Sequence, residues 1–331
     1  MSKYPSPEIG LALVRVTEAT ALSAGRWLGL GNRQAAHRAA TETMYEALST
    51  VNIDGYVVIG EEGRLGEYDL LDSGKRVGTG NGPEVDVVLD PIDGTRSVVQ
   101  GYPGAISVIS IAPRGSMWSP WPAVYMDKIV VDREAASVLV PECLDAPAAW
   151  TLALIARAKK KAVRDLQVIV LDRPRHQDLI EEIRAAEARV LLRADGDSAG
   201  ALIAAVPRLG ADVLMGVGGV PEGVTAACAV KALRGAMLGR LAPQSDEERA
   251  ATQAAELDVG RILTCSELVS SDRVFFAATG VTDGPLLAGV EYHGSEARTH
   301  SLLIRGETGV RRMIYAEHII GQSEVWPVGG R

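Results

Sequence analysis

The chain has 331 residues, of which 34 are Lys or Arg and 42 are Asp or Glu, giving a formal net charge of −8. That length allows one large α/β domain or two fused halves around a substantial core. An acidic chain without blocks of like charge excludes nucleic acid as the main partner, because phosphate backbones demand a basic face. A small phosphorylated substrate stays compatible, since a metal can supply positive charge locally.

The N-terminus, Met1 to Pro7, lacks the apolar run of a signal peptide. The longest charge-free stretch, Ser97 to Pro113, is interrupted by Gln100, Gly101, Pro103 and Gly104 and predicts a loop plus a buried strand, not a membrane span. Cys143, Cys228 and Cys265 are widely spaced, as expected of free, structural thiols in a reducing compartment. These features predict a soluble, cytoplasmic protein with no membrane partner.

In chain order, a helix is predicted over Glu8 to Leu28, punctuated by Gly29, Gly31 and Asn32, and a second from Arg33 to Leu48. On the second, His37, Thr41, Met44 and Leu48 share one face. Tyr56 to Gly60 and Val85 to Leu89 read as buried strands, the latter delivering Asp90 at its C-terminal end. Ile106 to Ala112 and Lys128 to Val131 are β-like. From about Trp150 strand and helix alternate: Leu166 to Leu171, Arg175 to Ala186, Val190 to Leu192, Asp197 to Val206, Val213 to Met215, and a long helix over Glu222 to Leu238. A soft boundary near residue 150 divides the chain into an N-terminal α/β half, 1–150, and a C-terminal half, 151–331.

The chemistry concentrates at Asp90-Pro91-Ile92-Asp93-Gly94-Thr95. Pro91 fixes the turn, two carboxylates can converge on one cation, Gly94 permits close backbone approach, and Thr95 offers a hydroxyl. Hard oxygen ligands suit Mg²⁺ or Mn²⁺, and those ions suit phosphate esters. Glu61 and Glu62 follow a strand, and Glu222 opens a helix after the glycine-rich Gly218-Gly219. Arg173-Pro174-Arg175 and Asp195-Gly196-Asp197 lie at strand-to-helix turns, where forked arginines can hold a phosphate and carboxylates can accept from sugar hydroxyls. Taken singly, each segment has a plain structural explanation: a capping Asp, a solvated turn, dipole complementation, surface arginines. Three acidic strand ends in one α/β chain point instead to a convergent metal site.

Together with Leu13 to Ala19, Val124 to Lys128 and Ala278 to Gly284, these ordered blocks resemble the class II (GlpX-type) fructose-1,6-bisphosphatases, within the lithium-sensitive metal-dependent phosphatases. The resemblance runs over nearly the whole chain. It implies a layered α-β-α-β-α sandwich and a dimeric or tetrameric homo-oligomer. It further implies Mg²⁺- or Mn²⁺-dependent hydrolysis of the 1-phosphate of fructose 1,6-bisphosphate, as in gluconeogenesis. Metal ligands would be Glu61, Asp90, Asp93 and Glu222, with His37 at a fifth ligand position. Substrate contacts would be Asp93, Gly94, Thr95, Tyr125, Arg173, Pro174, Arg175, Asp195, Gly196, Asp197 and Gly219, and Thr95, Asp90 and Glu61 would form the catalytic set.

The chain departs from that family's pattern where an acid is replaced at Asn32, His37 and Gly63; Arg33 stands for a lysine, and Glu62 restores some charge. Fewer carboxylates hold a hard cation less strongly, and imidazole favours Mn²⁺ or Zn²⁺ over Mg²⁺. The departures keep two further readings open: a phosphatase for another sugar phosphate, such as sedoheptulose 1,7-bisphosphate, and a catalytically weak sugar-phosphate-binding paralogue.

Overall fold

The computed structural model of the chain describes residues 7–60 and 70–320. Two helices come first, α1 (Pro7–Gly25) and α2 (Arg33–Ser49). The predicted first helix runs to Leu28, but the observed one stops at Gly25, and Gly29 and Gly31 take positive φ in the turn that follows. Asn32 caps α2, its side chain accepting from the Ala35 N–H at 3.0 Å. His37, Thr41, Met44 and Leu48 are all buried on one face of α2, as their spacing predicts.

The remaining elements are β1 (Asp54–Ile59), β2 (Arg76–Val77), β3 (Glu84–Asp93), α3 (Thr95–Gln100), β4 (Ile106–Pro113), β5 (Tyr125–Val131), α4 (Ala148–Lys159), β6 (Gln167–Leu171), α5 (Gln177–Ala185) and β7 (Arg189–Arg193). They continue with α6 (Asp197–Ala205), β8 (Val213–Gly219), α7 (Val220–Ala232), β9 (Ala236–Leu241), α8 (Asp246–Ala254), β10 (Leu263–Thr264), α9 (Cys265–Leu268), β11 (Phe275–Gly280), β12 (Glu291–His293), β13 (Glu296–Arg305) and β14 (Val310–Ile319). The long helix predicted over Glu222 to Leu238 is thus corrected. It ends at Ala232, because Arg234 turns left-handed (φ 60°) and Gly235 lets the chain reverse into β9.

The strands form two mixed sheets. The first has the order β12-β13-β11-β4-β3-β1-β2, with β14 paired to the other side of β13; the second is β10-β9-β5-β8-β6-β7. The first draws on residues 54–113 and 275–319 and the second on 125–264, so sheet membership does not follow the halves at residue 150.

Three apolar layers hold the stack. Leu13, Val16, Met44 and Leu48 of α1 and α2 cover the outer face of the first sheet at Val57, Val87 and Ile109. The Ala-rich α6 and α7 lie between the sheets, packed against Val88, Val108 and Phe276 on one side and Met126, Val130 and Leu214 on the other. Leu152, Ile155, Ile180 and Ile183 of α4 and α5 cover the outer face of the second sheet. Small side chains on α6 and α7 let two sheets approach one helix layer closely. The result is the α-β-α-β-α sandwich that the resemblance implies. Its three cysteines are buried and free.

Candidate active site

Asp90 and Asp93 both belong to β3, which continues through Pro91 instead of ending at Asp90 as the sequence suggests. In a regular strand, residues three apart point to opposite faces. Here Asp90 pairs with Val108 and Asp93 with Ile106, so β3 carries one residue more than β4 over the same span. This bulge turns both carboxylates to one side. Pro91 has no N–H to leave unpaired there, and the Ile92 N–H donates to Asp90 Oδ1 at 2.9 Å.

The third acid comes from the helix layer. Glu222 sits in the first turn of α7, and oxygens of Asp90, Asp93 and Glu222 lie within 4.8 Å of one another. Asp93 also reaches the start of α6, where its two oxygens accept from the Asp197 N–H (3.1 Å) and the Ala199 N–H (3.0 Å). Two helix N-termini therefore face the acids, which suits negative charge. Even so, burial and then the neighbouring Asp90 and Glu222 hold the Asp93 carboxyl well above the usual carboxylate range. Three carboxylates this close, largely out of water, fit a hard divalent cation, because they offer converging oxygen donors only.

One cavity of about 340 Å³ contains this cluster and, across from it, Tyr125, Arg173, Arg175 and Asp195. Arg175 lies over the Tyr125 ring, its guanidinium carbon 5.2 Å from the centroid, and donates to the Val217 carbonyl at 2.9 Å. Arg173 is already engaged, pairing with Asp195 at 2.9 Å and donating to the Ala194 carbonyl. Arg175 is thus the more available of the two for an anion. Thr95 is buried at the start of α3 and its hydroxyl donates to the Ile92 carbonyl at 3.2 Å.

Of the residues that the sequence singles out, Asp90, Asp93, Gly94, Thr95, Tyr125, Arg173, Arg175, Asp195, Asp197, Gly219 and Glu222 line this cavity, while Pro174 and Gly196 shape the turns behind it. Arg33 reaches its wall; His37 is buried on α2 and is not in the carboxylate group found among the described residues. Glu61, Glu62 and Gly63 lie outside the described residues.

Three supporting residues were not among the site residues that the sequence singles out. Lys128, in the middle of β5, is fully buried and pairs with Asp197, while its Nζ reaches the Gly219 carbonyl at 3.4 Å. Burial raises the Asp197 carboxyl and Lys128 lowers it again. Arg193 braces the turn before α6 through the Gly196 and Gly104 carbonyls. His176 joins two strand ends: its Nδ1 meets the Leu171 carbonyl at 2.7 Å and its Nε2 accepts from the Val217 N–H at 2.9 Å. Only the block Val124 to Lys128 hinted at Lys128, since a lysine in a β-like run gives no sign of facing inward.

The layered sandwich sets an acid cluster fit for a divalent cation opposite an arginine-bearing wall. The family described as "Bacterial fructose-1,6-bisphosphatase, glpX-encoded" matches residues 7–318, and the chain belongs to that family. Fructose-1,6-bisphosphatase 1 class 2 of Escherichia coli K12 is 37% identical over 330 residues, covering 96% of this chain and 97% of the relative. Fructose-1,6-bisphosphatase class 2 from E. coli O6:H1 and from Shigella flexneri match to the same extent.

Proposed function

We propose that this chain hydrolyses the 1-phosphate of fructose 1,6-bisphosphate, giving fructose 6-phosphate and phosphate in sugar-phosphate metabolism, with Mn²⁺ or Mg²⁺ as cofactor. The observation that carries the reading is the convergence of Asp90, Asp93 and Glu222 in one cavity with Arg175. Asp90, Asp93 and Glu222, with Glu61 and His37 as the further proposed ligands, would hold the cation, which when bound would supply Lewis acidity for phosphate ester hydrolysis. Arg175 anchors the distal phosphate, while Asp195 and Asp197 accept from sugar hydroxyls and fix the angle of approach. Thr95 directs its hydroxyl at the reacting group, exchanging its present bond to Ile92. Water adds to phosphorus, the bond to the C1 oxygen breaks, and that oxygen takes a proton.

A phosphate-release assay on a sugar-phosphate panel, with Mg²⁺, Mn²⁺ and Zn²⁺ each supplied, tests this. Release from fructose 1,6-bisphosphate above all others is expected. Preference for another sugar, or no release with any metal, would overturn it; the family membership does not favour either alternative. We further propose a cytoplasmic homo-oligomer, a dimer or tetramer. The edge strand β14 supports this, leaving Tyr315 76% and Ile319 91% exposed. Light scattering showing a monomer at micromolar concentration would count against it.

A further inference from the structure

A second cavity, of about 350 Å³, opens far from the acids and is lined by Arg133, Arg234 and Arg311 with Thr308, on a floor that includes Val206 and Leu233. Among the described residues no carboxylate lines it, and none of its three arginines is paired with one. Here three guanidiniums share one concave surface, whereas Arg76, Arg114, Arg173, Arg189, Arg240 and Arg261 of the same chain, of net charge −8, are each paired with an acid.

Helices α6 and α7 both end at this cavity, so some positive charge is needed there simply to offset their carbonyl ends. Each helix C-terminus amounts to about half a negative elementary charge. Three guanidiniums exceed that requirement by about two charges. Arg234 is moreover held at φ 60°, a conformation that glycine adopts more easily. The surplus charge, the fork geometry of arginine and the concave shape suit a compact dianion; an extended polyanion would be repelled by the rest of the acidic surface.

We propose that this cavity is a second anion site that takes a small phosphate-bearing molecule, a phosphate monoester or a diphosphate. The same two helices begin at the acid cluster, with Asp197 opening α6 and Glu222 in the first turn of α7. The two anion sites therefore stand at opposite ends of one helix layer, roughly 20 Å apart at 1.5 Å per residue of α7.

Calorimetric titration of the metal-free chain with inorganic pyrophosphate tests the proposal. Arg175→Ala first removes the active-site anion contact. That variant is expected to bind one pyrophosphate, and adding Arg234→Gly is expected to weaken the binding at least tenfold. Glycine suits the left-handed position, so the loss would not be one of folding; Arg311→Gln, on β14, provides an independent second variant with the same expected effect. No binding by the Arg175→Ala chain at millimolar pyrophosphate, or unchanged affinity after both further substitutions, would overturn the site. The readout requires no turnover, so its failure would leave the phosphatase reading intact.

Discussion

Individual side chains divide the site into charges that bind and charges that hold the binders in place. Lys128 belongs to the second kind. Its ammonium and the Asp197 carboxylate are both buried, and Asp197 opens the helix whose first N–H groups hold Asp93. Lys128→Met would leave a carboxylate buried without its cation, which costs roughly 3–5 kcal/mol. Urea denaturation at neutral pH is expected to show that loss, and the loss should shrink in acid, where Asp197 takes up a proton more readily than an ordinary carboxyl. His37 tests the departure from the family's acid. Replacing it by Asp should raise Mg²⁺-dependent phosphate release, because a hard carboxylate then takes a ligand position. An unchanged rate would leave His37 as a buried packing residue of α2 that holds no metal.

At the scale of elements, a bulge and two glycines place the carboxylates. Without the extra residue in β3, Asp93 would point away from Asp90. At the end of β8, a Cβ on Gly218 would fall on the Asp197 carboxylate and Lys128, and one on Gly219 would fall on Glu222. Gly218→Ala should therefore disrupt the Lys128–Asp197 pair and lower both melting temperature and turnover, by a few degrees and on the order of tenfold. His176 links the ends of β6 and β8 as a neutral ring, and burial holds its pKa below the usual histidine value. The unfolded chain then binds the extra proton more readily. The stability that His176 contributes is fully present above about pH 6.5 and is lost as the pH falls toward the lower folded value. Protonation at Nε2 would set a donor against the Val217 N–H. Denaturation midpoints of His176→Gln are expected to vary less with pH over that window than those of the parent chain; parallel profiles would rule the effect out.

For the whole molecule, the site lies where the first sheet meets the helix layer. Asp90 and Asp93 come from β3, Glu222 from α7, and the facing Tyr125 and Arg175 from the second sheet and the turn after β6. A bound cation joins a sheet strand to a helix that packs on it in the same core. Saturating Mn²⁺ at about 100 times its dissociation constant should stabilise the chain by about 2.7 kcal/mol. Thermal unfolding should shift upward by several degrees and return on adding chelator; Glu222→Gln should remove most of that shift. A melting temperature indifferent to Mn²⁺ would show that the three acids do not hold it.

The sequence by itself determined much of this protein. The periodicity of α2, the buried strands flanking Asp90, and the Asp90 to Thr95 string are local patterns, set by side-chain spacing, by the fixed φ of Pro91 and by the positive φ open to Gly94. The ordered blocks also sufficed for the family. What only the tertiary structure decided was set by contacts between distant residues. The Asp93 carboxylate caps a helix that begins 104 residues later, and a lysine in the β-like run of β5 faces inward to meet Asp197. α7 stops at Ala232 because β9 must join β5 in the second sheet. Local spacing fixes which face a side chain takes on its own element. Which partner waits on that face, and hence whether a charge is a solvated turn or part of a buried site, depends on how the layers stack.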